Sequence, residues 1–151
     1  MAACYGGRGS AHLVADFSAV DPLTAALVNA GCSHSLEFDD THAPTLFHPG
    51  SPVIPAALAM AEDRKASGMD FLAGVLAGYE VSMRLAACVN PSHYRLWHTT
   101  GTIGTFGAAI AACRTANLAP AAAANALGLA GTQAAGLWEV LPQAPSAKNL
   151  H

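Results

Sequence analysis

Between residues 34 and 50 the chain gathers imidazoles, carboxylates and a hydroxyl: His34, Glu37, Asp39, Asp40, Thr41, His42 and His48, closed by Pro49-Gly50. Only 11% of the residues are Asp, Glu, Lys or Arg, so such a concentration of titratable groups points to a site. Loops held by a rigid scaffold are where sites concentrate. A second group, Trp97-His98-Thr99-Thr100-Gly101-Thr102, sets an imidazole and hydroxyls at the start of a helix. The free N–H groups and positive dipole end there suit a carboxylate ligand. A third pair, Lys148 and His151, adds a flexible cation and an imidazole.

Together these groups suit a pocket for an acid with several negative charges. Lys148 and protonated histidines would hold carboxylates, while a neutral histidine or a carboxylate moves a proton. Removing a proton beside a carboxylate builds further negative charge, and cationic donors aimed at that charge lower its cost. Each group also has a structural reading. Asp39 and Asp40 can cap helices, His34 can be a hydrogen-bonded core residue, and Thr99 or Thr100 can be an N-cap beside a surface His98. A metal-dependent hydrolase would instead use His34, Asp39, Asp40, His42 and His48 as ligands for zinc, iron or manganese. That spacing matches no HExxH pattern and leaves His98 and Lys148 without a role.

The elements that must position these residues read as helices. Residues 1–20 form an irregular or extended lead-in. Asp21-Pro22 opens the first helix as N-cap and first-turn proline, with a stripe of Leu23, Leu27, Ala30 and His34. Ser51-Pro52 opens a second in the same manner, with Gly68 as its stop. Asp70 caps a third, from about Phe71 to Cys88, on which Gly74, Gly78 and Ser82 make a smooth face for a neighbouring helix. Asn90-Pro91-Ser92 breaks the chain. A fourth helix follows His98-Thr99-Thr100 and carries a small-residue face of Gly101, Gly104, Thr105 and Ala108. Pro120 starts a fifth, ending near Ala135-Gly136. No strand alternation stands out, so the fold class is all-α, built of packed Ala/Gly-rich helices.

Composition narrows the function. The 151 residues are 52% hydrophobic with a net charge of −3, which leaves much of the surface to meet another domain, subunit or segment. Lysines and arginines are scattered, which excludes nucleic acid as a partner. The stretch between Arg114 and Glu139 lacks charge but is interrupted by Asn117, Pro120, Asn125 and Gln133 and is made mostly of Ala and Gly, unlike a membrane span. The cysteines (Cys4, Cys32, Cys88, Cys113) show no CxxC pair. They read as reduced thiols of a cytoplasmic protein, or of the mitochondrial matrix in a eukaryote, with Cys88 and Cys113 as small core residues.

At these same residues the sequence resembles the MmgE/PrpD family. The resemblance runs through Ala25-Ala26-Leu27-Val28-Asn29, His34-Ser-Leu-Glu37-Phe-Asp39-Asp40-Thr41-His42 and His48-Pro49-Gly50. It continues through Pro55-Ala56, Gly78-Tyr79-Glu80, His98-Thr-Thr-Gly101-Thr102 and Ala147-Lys148-Asn-Leu150-His151. It implies the helical part of a two-domain protein, with an α+β lid domain, a homodimer, and a lyase or epimerase acting on small di- and tricarboxylic acids without metal or organic cofactor. It further implies proton transfer by His48 and His98 and substrate binding by Glu37, Thr41 and Lys148; Asp39, Asp40, His42 and His151 are additional candidates from the same polar segments. Glu37 stands where an aspartate is common in the family, and the segment from Thr41 to His48 is a residue longer than in some members.

The expectation is therefore a dehydratase-type lyase working by proton abstraction and elimination. The 1–151 segment is expected to be a helical domain truncated at both ends, without its lid and inactive alone. A non-catalytic helical association module is the alternative from another class. It accounts for the low charge but not for the collection of polar groups.

Overall fold

A computed structural model describes residues 9–138. Its helices are α1 (Pro22–His34), α2 (Gly50–Arg64), α3 (Gly68–Val89), α4 (Thr99–Thr115) and α5 (Pro120–Gln133). The fold is all-α, with one small antiparallel pair, β1 (Ala11–His12) and β2 (Ala19–Val20), in register Ala11 opposite Val20. Strands of two residues are too short to print an alternation, which is why the lead-in reads as irregular. The pair is fastened to the helices by polar side chains. Glu62 accepts from the His12 N–H at 2.8 Å, and the Asn29 amide bonds Val14 N and His12 O.

Helix α1 begins as its sequence dictates: Asp21 accepts from Leu23 N and Thr24 N, and Pro22 occupies the first turn. Its buried face differs from the expected stripe. Leu23 and Leu27 are 83% and 41% exposed, whereas Thr24, Ala25, Asn29 and His34 are buried. Small residues let α2 and the β-pair approach, so the core side passes through Ala25 while the leucines face outward. Ala25 packs with Ala11, Leu13, Val20 and Ala59 in one of the clusters that make up the core.

Helix α2 starts at Gly50, with Pro49 as N-cap and no capping side chain from its own turn. Ser51 is thus inside the helix, not its cap. A carboxylate from further up the chain does that work, because Asp40 Oδ1 accepts the Gly50 N–H at 3.0 Å. At the other end Lys65 takes the left-handed conformation (φ 50°) and donates back to Ala61 and Glu62. The helix therefore stops before Gly68, which instead opens α3. Ser67, not Asp70, is the α3 cap: Asp70 N donates to Ser67 Oγ at 3.1 Å, and Ser67 Oγ donates to Asp70 Oδ2 at 2.6 Å. This resembles a capping box with aspartate in the third helical position, the returning bond here coming from the cap hydroxyl.

The small-residue faces each receive a neighbouring helix, though not one another: the α3 face meets Gly107, Ala111 and Thr115 of α4, while Gly104 of α4 meets Pro52 of α2. Gly74, Gly78, Ser82 and Ala86 form the buried line of α3 against α4. A Cβ on Gly74 would lie 2.0 Å from Thr115 Oγ1, and one on Gly78 would lie 2.8 Å from the Gly107 carbonyl oxygen. On α4, a Cβ at Gly104 would lie 2.8 Å from Pro52 Cγ of α2. Helix α4 is thereby central, with most of its first turns buried. The outer face of α3 carries exposed Met69, Leu72 and Leu76. By length and composition α3 is apolar enough to cross a bilayer, yet its glycine line is occupied by α4. Cys113 is buried, but Cys88 is exposed and not a core residue. It lies on the side of α3 away from the line through Ser82 and Ala86.

A candidate proton-transfer site around His34 and Asp39

The site grows from the C-terminal end of α1. His34 occupies the last helical position, and Glu37, in the left-handed region (φ 56°), turns the chain there. The turn is closed by Ser35 N to Cys32 O and Glu37 N to His34 O. It brings Asp39 back over the helix end, where Asp39 Oδ2 lies 2.7 Å from His34 Nδ1. Both side chains are nearly buried, 8% and 4% exposed. A carboxylate in its ionised form only accepts, so toward such an Asp39 the donor is His34 Nδ1–H.

His48 reaches the same carboxylate from the other end of the loop. Its Nδ1 lies 3.6 Å from Asp39 Oδ2 and 3.4 Å from Thr41 Oγ1. The intervening segment is pinched shut by pairing of His42 with Phe47, and a 3-10 turn (Ala43–Thr45) projects between them. The length of that segment is absorbed in the projection, and His48 still returns beside Thr41. Phe47 is wholly buried with Ala86 and Ile103, which anchors its neighbour, and His48 N donates to Thr100 Oγ1 at 3.2 Å.

His98 arrives from a third direction, as the N-cap of α4. It is 1% exposed and not on the surface. Its ring stacks 6.1 Å from that of His34, while the His48 ring lies edge-on to His34 at 4.9 Å. His34 thus stands between two imidazoles brought from positions fifty residues apart. Thr99 and Thr100 are buried within α4 and neither caps it. Near the start of α4, His93 Nε2 pairs with Thr102 Oγ1 at 2.7 Å, and burial holds the His93 pKa below its ordinary value.

The remaining sequence candidates fall in different places. Asp40 is spent on structure, accepting from Gly50 N and bonding Tyr79, whose phenol is raised well above its ordinary pKa by burial and then by Asp40. His42 pairs with Thr45 Oγ1 at 2.7 Å inside its own turn. Glu37 is exposed, close enough to Tyr94 that its charge adds to burial in raising that phenol's pKa. Lys148 and His151 lie outside the described residues.

Two features had no clear signal in the sequence. Trp138 lies against His98 with ring centroids 4.9 Å apart and is itself met edge-on by Tyr94. The segment after α5 returns to pair Leu137 with Trp97, and His98 N donates to Gly136 O at 2.9 Å. The second feature is a cavity of about 620 Å³ lined by Val14, Asn29, Ile54, Leu58 and Tyr79. It borders the cluster only through Asp39 and Asp40, and neither His48 nor His98 lines it. It is the wrong place for the chemistry, being mostly apolar with Asp40 already engaged.

Of the five metal-ligand candidates, three come together. One ligand atom from each of His34, Asp39 and His48 lies within 4.8 Å of the others. Asp40 and His42 are held elsewhere by the bonds described above. The cluster therefore offers imidazole rings on both sides of a buried carboxylate, open to use for moving a proton.

Sequence comparisons show what the chain is similar to. The MmgE/PrpD N-terminal domain family matches residues 1–151. A cis-aconitate decarboxylase-like protein, oryM, of Aspergillus oryzae is 34% identical over 125 residues, covering 77% of this chain and 26% of that protein. The cis-aconitate decarboxylase of Aspergillus terreus is 29% identical over 136 residues, covering 85% and 28%. The human cis-aconitate decarboxylase is 34% identical over 119 residues, covering 75% and 24%. The chain spans about a quarter of the length of these curated relatives. With a family match along its whole length, this all-helical chain belongs to the MmgE/PrpD family, as part of its N-terminal domain.

Proposed function

We propose that this chain carries the proton-transferring part of a lyase site for small di- or tricarboxylic acids, with His48 and His98 as the proton carriers. The observation that supports this most is their convergence on His34, at ring distances of 4.9 and 6.1 Å. A carbon acid beside a carboxylate needs a base on one side and a means of returning or placing a proton on the other. In this reading Glu37 and Thr41 bind substrate, and Lys148 supplies the cation that balances its carboxylates. The activity belongs to the whole protein, in a homodimeric, cytoplasmic setting, and the 1–151 segment alone has little of it.

Dehydration and decarboxylation both use such a pair of proton carriers. The names of the relatives favour a cis-aconitate-like substrate. The test is an assay of the full protein against cis-aconitate, citrate and 2-methylcitrate with product detection by NMR. Loss of carbon dioxide from cis-aconitate is the expected result. No turnover of any of the three would sink the proposal.

One observation favours a second reading, in which the three donors of the cluster bind a divalent metal. Asp39 Oδ2 is already engaged at 2.7 Å by His34, and a metal there leaves His98 without a role. Turnover that survives exhaustive chelation supports the metal-free reading, and turnover restored only by added zinc, iron or manganese supports the other.

A further inference from the structure

We propose that Asp39 is the positioning residue for His48, fixing its tautomer with the proton on Nδ1 and the bare Nε2 turned to substrate, and that His34 anchors Asp39 for this task. The inference rests on the proposed proton-transfer role of His48.

The geometry supplies the argument. Asp39 Oδ2 faces Nδ1 of both imidazoles, at 2.7 Å for His34 and 3.6 Å for His48. The carboxylate is nearly buried, so it is not satisfied by bulk water, and its Oδ1 has no hydrogen-bond partner among the described residues. A bare Nδ1 on His48 would set a lone pair against that negative charge. A protonated Nδ1 turns the contact attractive and leaves Nε2 as the basic atom. The other neighbour of Nδ1, the Thr41 hydroxyl at 3.4 Å, can accept as well, so it does not oppose this tautomer.

His34 is what keeps Asp39 in place. It is fixed in the last turn of α1, it donates a 2.7 Å bond to Asp39 where His48 makes only a longer contact, and its Nε2 is buried without a partner among the described residues. Among the described residues no competing polar contact draws it away. Carboxylate-to-imidazole pairs of this kind act by holding orientation and tautomer, and loss of the carboxylate costs turnover even when the fold survives.

The test reads the tautomer directly. In the full protein labelled with ¹⁵N-histidine, long-range nitrogen–proton couplings report which ring nitrogen of His48 carries the proton, with His48→Gln assigning the resonance. The expected result is protonation at Nδ1. In Asp39→Asn the one remaining oxygen acceptor is taken by the nearer His34, and His48 should then populate the Nε2–H form. Turnover should fall at least about tenfold in kcat, with KM changed by less than about threefold. His48 protonated on Nε2 in the unaltered protein overturns the proposal, and that measurement needs no variant to fold. A tautomer or kcat unmoved by Asp39→Asn overturns it too. His48→Gln separates the two claims: retained turnover sinks the proton-transfer role of His48, whereas turnover lost there but kept in Asp39→Asn sinks the positioning role.

Discussion

His34 Nδ1 lies 2.7 Å from Asp39 Oδ2, with both side chains almost wholly removed from solvent. Residues five apart across a helix end have been folded into one buried pair. Removing one member of such a pair leaves the other desolvated and uncompensated. His34→Phe, which keeps a ring and deletes the donor, should therefore cost about 3 kcal/mol or more. Urea denaturation followed by circular dichroism measures it, and a change within about 0.5 kcal/mol would show that the pair does not hold the loop.

The close approach of α3 to α4 predicts opposite effects for two glycine-to-alanine changes. At Gly78 an added Cβ would meet Val53 Cγ1 at 2.7 Å and the Gly107 carbonyl at 2.8 Å, so Gly78→Ala should destabilise by about 1–3 kcal/mol. At Gly128, inside α5, no other described residue lies within 4 Å of an added Cβ, and Gly128→Ala should stabilise by about 0.5–1 kcal/mol. Thermal melts of the two variants should move in opposite directions. A shared direction would contradict the helix packing described.

Acid should weaken the fold partly through the exposed carboxylates at its helix starts, the cap Asp21 and the first-turn Asp70. Asp70 is held below its ordinary value of 3.8 first by the Ser67 hydroxyl, then by Asn117 and the charge of Arg114, and Asp21 first by the Thr24 hydroxyl. A carboxylate with a lower pKa folded than unfolded adds stability above the unfolded value. That contribution disappears as pH falls through the folded one. Denaturation midpoints taken from pH 5 downward should drop as the pH passes below 3.8. The drop should be shallower in Asp70→Asn, which no longer titrates there. Equal slopes would mean that Asp70 contributes nothing.

Much of this was legible in the residues. Asp21-Pro22 specifies the start of α1 because cap and first-turn proline act within a few residues. Small residues four apart announce the α3 face because helical spacing stacks them. The start of α2 was not legible from its own turn, since its capping oxygen comes from Asp40, across a loop. Nor was its end, because Lys65 takes a left-handed conformation that glycine would adopt more easily. The leucine stripe of α1 misled because hydrophobicity marks what a helix can bury, while the packing neighbours decide what it does bury. The candidates of residues 34–50 and 97–102 lie in two segments that the structure brings together. The pairing of His34 with Asp39 at its centre, and Trp138 against His98, depend on how the segments fold back on one another.

The most direct test of the central claim is turnover of the full protein on cis-aconitate after His48→Gln and, separately, His98→Gln, with folding checked by denaturation midpoint. Loss of a positioned acid or base costs roughly 10²–10⁴-fold, so each variant should lose at least about a hundredfold while keeping a cooperative fold. If both variants, folded, turn over substrate as the unaltered protein does, the two histidines are not the proton carriers and the account is wrong.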